Sequence, residues 1–156
     1  MEAVTGRRFV SQPAVLRGYA RFRVRGAVYP GIIATPGALT EGAVYCDVDA
    51  VSLARLDMFE GALYDRLGLN VDVEAGPSAR GSVRAEVYVI PPSQRQRLSS
   101  DAWDPEEFRR RHLGTYLAGV RDRDHTRRRS VIRPVMRPAL PRANVVDRTR
   151  RVSVAR

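Results

Sequence analysis

The sequence of 156 residues has no lysine, one cysteine, two histidines and no long apolar segment. The single cysteine, Cys46, excludes an intrachain disulfide framework, and no residue spacing is typical of a zinc or iron–sulfur ligand set. No apolar run approaches the ~18–20 residues that span a bilayer, and the first residues lack the pattern of a signal peptide. These absences predict a cytoplasmic protein with no membrane span, no metal and no cofactor.

Because lysine is absent, arginine supplies all 27 positively charged side chains. Residues 121–156 contain 12 arginines and three aspartates, so this segment carries nearly all of the net charge of +10. The segment also has isolated prolines and no sustained apolar periodicity, a composition that buries too little surface to offset chain entropy. We therefore predict one ordered domain over residues 1–120 and an Arg-rich disordered tail over residues 121–156.

Short β-like runs fill the part of the ordered domain that follows Arg8. The clearest is Gly42–Val48, in which apolar and polar side chains alternate. Turn residues interrupt the earlier runs at two points, Pro30-Gly31 and Thr35-Pro36-Gly37. We expect a meander of short strands here. Two later runs, Leu67–Val73 and Val83–Ile90, are expected to pair as a hairpin.

Two helices are predicted from their start signals. Asp49 can cap a helix over residues 50–59 that ends at Gly61. Asp104 and Pro105 open a second helix, expected to reach about Leu117, because proline suits the first turn of a helix. Trp103, just before it, is expected to anchor this helix to the sheet.

Glu60 is the candidate catalytic residue. In the first helix, Leu53, Leu56 and Glu60 follow one another at spacings of three and four, so they project from one side. A carboxylate directed into apolar surroundings has a raised pKa, which suits proton transfer. Spacing alone leaves a second interpretation open, in which the last turn frays at Gly61 and Glu60 faces solvent.

The chain from Val4 to about Val120 resembles the gamma-glutamylcyclotransferase-like family, which includes gamma-glutamylamine cyclotransferases and the avirulence-induced proteins of plants. The matching segments are Leu16-Arg17-Gly18-Tyr19, Tyr29-Pro30-Gly31, Gly42-Ala43-Val44-Tyr45, Leu56-Asp57-Met58-Phe59-Glu60-Gly61 with Tyr64 and Arg66, and Ala85-Glu86-Val87-Tyr88-Val89. The resemblance implies an α+β fold: a small mixed curved sheet or open β-barrel with two or three short helices.

The family's Leu-Asp-x-x-Glu-Gly motif carries the general acid/base, and its glutamate corresponds to Glu60. The implied reaction is attack of a substrate's α-amino group on its own γ-carbonyl, which releases 5-oxoproline and a free amine. The implied partner is a small gamma-glutamyl substrate, and no metal or cofactor is required. Tyr64 and Arg66 follow Glu60 closely and are candidate substrate-binding residues, although packing or surface roles are common for such residues.

One family element has no counterpart in this sequence. Family members begin with a strand ending in Tyr-Gly-Thr/Ser-Leu, whose backbone N–H groups hold the gamma-glutamyl group. We therefore expect the domain to be N-terminally truncated at Met1, with weak or no cyclotransferase activity as written. Upstream codons are expected to restore activity if Met1 is an internal methionine; a real truncation is the alternative.

A rival interpretation is a noncatalytic binding module whose Arg-rich tail contacts nucleic acid or an acidic partner. The tail lacks the interleaved aromatic residues that stack on bases, so we do not expect specific binding to nucleic acid. Cys46 and His112 lie on apolar faces, where packed side chains are commoner than catalytic ones. The sequence does not specify an oligomeric state.

Overall fold

The computed structural model describes residues 1–76, 79–120 and 151–153. The helices are α1 (Glu2–Thr5), α2 (Ala50–Glu60), α3 (Pro105–Arg111) and a further helix, α4, over residues 113–120. The strands are β1 (Ser11–Val24), β2 (Pro30–Tyr45), β3 (Asp65–Gly76), β4 (Ala79–Val89), β5 (Leu98–Ala102) and β6 (Arg151–Ser153). Short 3-10 helices span Gly61–Leu63 and Pro92–Arg97. The α+β class is confirmed.

The sheet has the strand order β2-β6-β4-β3-β1-β5, and β1 also pairs with β2. The pairing of β4 with β6 is parallel and the other pairings are antiparallel, so the sheet is mixed. The strands β1 to β5 form a curved, open sheet, and only the three-residue β6 lies between β2 and β4. Apart from the short β6, the sheet of β1 to β5 is open and is not a closed β-barrel.

The first half of the sheet differs from the predicted meander of short strands. β1 and β2 are 14 and 16 residues long and form one hairpin, whose turn lies between Val24 and Pro30. The register shifts between Arg17 and Tyr19, opposite the Thr35-Pro36-Gly37 segment, where Gly18 and Gly37 have φ values of 78° and 79°. The predicted turn residues are absorbed as an irregularity within a continuous hairpin.

The predicted β3–β4 hairpin and the start of each predicted helix are confirmed. The backbone N–H of Ser52 donates to Asp49 Oδ1 at 2.9 Å, so Asp49 caps α2. Asp104 caps α3 in the same way, but α3 ends at Arg111, and α4 follows after His112. The expected single helix is thus divided into two.

Three apolar clusters hold the sheet and helices together. One is formed by side chains of β1 to β4 and includes Val44 and Val87, both fully buried. A second, around Ile90 and Leu98, joins the ends of β2 and β4 to β5. The third packs Leu56 of α2 against the sheet. Trp103 is 9% exposed and donates from Nε1 to the Val28 carbonyl at 2.9 Å, as expected of an anchor.

The predicted tail falls outside the described residues over 121–150 and 154–156, and its disorder stays a prediction there. Within it, Arg151–Ser153 form β6. No helix among the described residues combines the length and apolar character needed to cross a membrane.

Candidate active site

Glu60 is the last residue of α2 and has helical backbone angles, φ −69° and ψ −36°. The helix therefore extends through Glu60, and the alternative of a frayed last turn does not hold. Of the predicted apolar stripe, Leu56 is 1% exposed and Leu53 packs against the same cluster. Glu60 itself is half-buried, so its side chain is not enclosed as that of Leu56 is.

The residue one turn before Glu60 fastens the end of the helix to the sheet. Tyr88 Oη donates to Asp57 Oδ1 at 2.7 Å, and Arg66 Nε lies 2.9 Å from the same oxygen. Arg66 Nη1 is also 3.4 Å from Glu86 Oε2. Asp57 and Glu60, together with Arg66, Glu86 and Tyr88, are called the α2 cluster below.

The backbone places these side chains together. Arg66 of β3 is directly opposite Tyr88 of β4 in the hairpin register, so both can reach one carboxylate. The Gly61 N–H donates to the Asp57 carbonyl, and Gly61 has φ 65°, which glycine adopts without steric cost. Asp57 thus fixes the last turn of α2 through both its main chain and its side chain.

Tyr88 has a perturbed pKa. Burial raises the pKa of its hydroxyl above the usual range, and the hydrogen bond to Asp57 and the charge of Asp57 raise it further. The charge of Arg66 lowers this pKa and the charge of Glu60 raises it, so the Glu60 carboxylate lies within electrostatic reach of the phenol. Tyr88 is therefore a neutral hydrogen-bond donor at physiological pH.

Tyr64 takes a different position from Arg66. Its hydroxyl donates to the Pro30 carbonyl at 2.9 Å, and its ring packs against both the Leu56 and the Ile90 clusters. Gln94 Nε2 donates to the Ala62 carbonyl at 2.8 Å in the same stretch. The structure therefore joins Arg66 to the α2 cluster and uses Tyr64 to attach the segment after Glu60 to β2. Substrate binding by either residue stays a prediction.

Sequence reasoning did not single out Asp57, Tyr88 or Glu86. Asp57 precedes Glu60 by three residues, a spacing that places both on neighbouring parts of one helix face. That spacing was a usable signal. Tyr88 and Glu86 had none, because their approach to Asp57 depends on the β3–β4 register and on how α2 packs.

The described residues contain no group of three or more histidine, cysteine or acidic side chains that could hold a metal ion. Two cavities have volumes of about 430 and 390 Å³, and neither is lined by Glu60, Tyr64 or Arg66. The α2 cluster itself offers carboxylates, a guanidinium group and a phenol.

Comparison with known proteins identifies the family of this chain. Residues 1–105 match the family described as gamma-glutamyl cyclotransferase, AIG2-like. Protein AIG2 C of Arabidopsis thaliana is 32% identical over 109 residues, which are 70% of this chain and 64% of that protein. AIG2-like protein B of the same plant is 31% identical over 104 residues, covering 67% and 58%. The chain thus spans less than two thirds of the length of either relative.

A solved structure agrees with the fold. The solution structure of At3g28950.1 from Arabidopsis thaliana superimposes with a TM-score of 0.53 at 28% identity, covering 81% of this chain and 74% of that one. The family match extends past the α2 cluster and the β3–β4 hairpin to the start of α3. The chain belongs to the AIG2-like gamma-glutamyl cyclotransferase family.

Proposed function

We propose that this protein is a gamma-glutamyl cyclotransferase in which Glu60 moves the proton. The observation that carries the proposal is the position of Glu60, which is half-buried and helical at the end of α2, one turn beyond Asp57 and close enough for its charge to raise the pKa of Tyr88. Membership of the family supports a small gamma-glutamyl substrate. The proposed products are 5-oxoproline and a free amine.

The reaction is an internal acyl transfer. The α-amino nitrogen of the gamma-glutamyl group bonds to its own γ-carbonyl carbon, and the bond from that carbon to the leaving nitrogen breaks. Glu60 accepts a proton from the α-ammonium group, which frees the amine for attack, and returns it to the leaving nitrogen. The second proton lost by the attacking nitrogen also passes to the released amine, which departs as an ammonium group, so no water or oxidant is consumed. Since nucleophile and electrophile belong to one molecule, orientation supplies much of the rate enhancement.

Asp57 is less suited than Glu60 to the acid/base role. One oxygen of Asp57 already accepts the Tyr88 hydrogen bond and lies beside the Arg66 guanidinium, so the protein itself occupies this oxygen. A carboxylate oxygen occupied in this way is less accessible to a substrate, and it attaches the turn that carries Glu60 to the sheet. We therefore propose that Asp57 positions Glu60.

The test measures 5-oxoproline released from a panel of gamma-glutamyl amines and gamma-glutamyl amino acids. It uses the 156-residue chain and any longer product of the same reading frame. We expect turnover on at least one substrate, and a loss of about 10²–10⁴-fold in kcat on Glu60→Gln, the usual contribution of a general acid/base. The substitution preserves the size of the side chain and removes its ability to carry the proton.

Glu74→Gln is the matched control. Glu74 is an exposed glutamate of β3, eight residues after Arg66 and at the other end of the strand. We expect this variant to retain full turnover. If neither the 156-residue protein nor its longer form releases 5-oxoproline from any substrate, the proposed activity is refuted. Undiminished turnover by a correctly folded Glu60→Gln protein would refute the role of Glu60 and leave the proposed activity standing.

A further inference from the structure

A second candidate binding site lies away from the α2 cluster, between β1, β5 and the Pro92–Arg97 3-10 helix. It is a cavity of about 430 Å³, within the range of small-molecule sites. Its lining includes Phe22, Arg25, Arg95, Leu98, Ser99 and Ser100. We call it the β5 cavity.

Arg25 is held in place by the backbone around the cavity. Its Nε donates to the carbonyl oxygens of Gln96 at 3.1 Å and Leu98 at 3.0 Å, and its backbone N–H donates to the Arg97 carbonyl at 2.8 Å. Within the described part of the chain, its two terminal nitrogens have no hydrogen bond or ion pair. The guanidinium group is therefore oriented by the protein while its outer edge is left for another acceptor.

The charged side chains that line the β5 cavity are both arginines. Arg95 is exposed and, over residues 1–76 and 79–120, forms no ion pair. No acidic residue lines this cavity. Elsewhere, Arg17, Arg23 and Arg66 each lie within 3.4 Å of a carboxylate oxygen. Two arginines beside one opening without an acid produce a positive potential that favours an anion.

The remaining walls define the rest of the ligand. Leu98 is 6% exposed and belongs to the apolar cluster of Ile33 and Ile90, and Phe22 packs against the same cluster. Ser99 Oγ accepts a hydrogen bond from the Asp101 N–H at 3.2 Å, whereas Ser100 is exposed. An apolar wall beside the guanidinium groups suits a ligand that is apolar at one end and anionic at the other.

We propose that the β5 cavity binds a small organic carboxylate, with its carboxylate on Arg25 and Arg95 and its apolar part against Phe22 and Leu98. The planar guanidinium group matches a carboxylate through two parallel hydrogen bonds. An apolar group on Phe22 and Leu98 gains from removal of that surface from water. This inference is independent of the proposed function, because no α2-cluster residue lines the cavity.

The test titrates the full chain with phenylacetate and follows backbone amide shifts by NMR. We expect saturable shifts at Phe22, Arg25 and Leu98. Neutral phenylacetamide is expected to bind at least tenfold more weakly, because it has the same ring without the charge. Arg25→Gln and Arg95→Gln should each weaken phenylacetate at least about tenfold, the loss expected for a charge-assisted hydrogen bond.

Arg110→Gln is the control, since Arg110 is an exposed arginine of α3 that does not line the cavity. This variant is expected to bind phenylacetate as tightly as the wild-type protein does. Equal weakening by Arg110→Gln would show general charge attraction and refute the site. Equal affinity for phenylacetamide, or tighter binding of inorganic phosphate than of phenylacetate, would refute an organic carboxylate as the ligand. Amide spectra of each variant establish that the fold is retained.

Discussion

The α2 cluster and the β5 cavity both depend on arginine, but they use it in opposite ways. In the α2 cluster, Arg66 lies between the carboxylates of Asp57 and Glu86. In the β5 cavity, Arg25 is oriented by backbone carbonyls and no carboxylate lines the opening. A paired arginine fixes protein groups in place, whereas an oriented arginine without an acid is arranged for a ligand. The partner therefore decides the role more than the residue type does.

The two regions also differ in what lies beneath their charges. The α2 cluster has a phenol, Tyr88, that is 6% exposed and hydrogen-bonded to Asp57, so its structure depends on a polar contact. The β5 cavity has the apolar side chains of Ile90 and Leu98 beneath it, packed closely on Gly31. We expect the first region to respond to changes in charge and the second to changes in volume.

The largest predicted effect on stability tests the volume side of this comparison. A Cβ on Gly31 would lie 2.6 Å from Ile90 Cγ1 and 3.0 Å from Leu98 Cδ2, both atoms of buried side chains. Gly31→Ala should therefore lower the free energy of unfolding by about 3 kcal/mol, the upper part of the range for an overpacked core. Urea denaturation of the variant and the wild-type protein measures the difference.

Gly68→Ala is the control for this overpacking. A Cβ on Gly68 would lie 2.8 Å from Arg84 Nη2, the end of a flexible side chain that can move aside. We expect a change in stability of less than about 1 kcal/mol, because only a rotamer must shift. Equal losses of stability for the two variants would contradict the contrast between the packed side chains of Ile90 and Leu98 and the flexible side chain of Arg84.

The next effect tests the charge side of the comparison. Asp57→Ala removes the acceptor of the buried Tyr88 hydroxyl and the carboxylate beside Arg66 Nε. We expect a loss of about 2 kcal/mol in the free energy of unfolding, as for a hydrogen bond to a charged group. Asp101→Ala is the control, since Asp101 is an exposed residue of β5, and it should change the free energy of unfolding by less than about 0.5 kcal/mol. Comparable losses at the two positions would show that the Asp57 contacts do not stabilise the fold.

The perturbed pKa of Tyr88 predicts a dependence of stability on pH. Because burial and Asp57 raise this pKa in the folded protein, the folded state keeps the phenol proton where the unfolded state, with a pKa of ~10, releases it. The stabilisation of the folded state that arises from this raised pKa is therefore complete below pH ~10, and it is lost as the pH rises from there through the folded-state pKa of Tyr88. Between pH 8 and pH 11, the free energy of unfolding of the wild-type protein should fall by about 1.4 kcal/mol more than that of Tyr88→Phe.

Urea denaturation of both proteins at pH 8 and pH 11 measures this difference. The other five tyrosines and all arginines are common to the two proteins, so their titration cancels in the comparison. A stability difference between the two proteins that stays constant between pH 8 and pH 11 would mean that the Tyr88 phenol titrates alike in the folded and unfolded states.

Local signals predicted the parts of the fold that local contacts form. Asp49 caps α2 and Gly61 ends it, and the β3–β4 hairpin follows from two apolar runs near in sequence. The prediction of short strands is wrong for the β1–β2 hairpin, because Pro36 and Gly37 are typical of a turn, and only the long-range pairing of the 16-residue β2 shows that they form an irregularity. β5 has a short, polar sequence whose pairing with β1 is long-range, so it gave no strand signal.

The candidate site divides along the same line. Glu60 and Arg66 were identified from a motif that is contiguous in sequence. Asp57 and Tyr88 are 31 residues apart, and their hydrogen bond forms only when α2 packs on the hairpin. Arg25 and Leu98 are 73 residues apart, and the opening between them likewise depends on the pairing of β5 with β1. Sequence spacing predicts side chains on one element and does not predict contacts between elements.

The smallest predicted effect separates ligand binding from stability in the β5 cavity. Arg95 is exposed and, among the described residues, has no carboxylate partner, so Arg95→Gln should change the free energy of unfolding by less than about 0.5 kcal/mol in the absence of ligand. Phenylacetate at one concentration should raise the unfolding midpoint of the wild-type protein more than that of the variant, because stabilisation by a ligand grows with the ratio of its concentration to its Kd. A loss of intrinsic stability as large as that of Asp57→Ala would instead make Arg95 a structural residue, like Arg66, and would remove the contrast between the two regions.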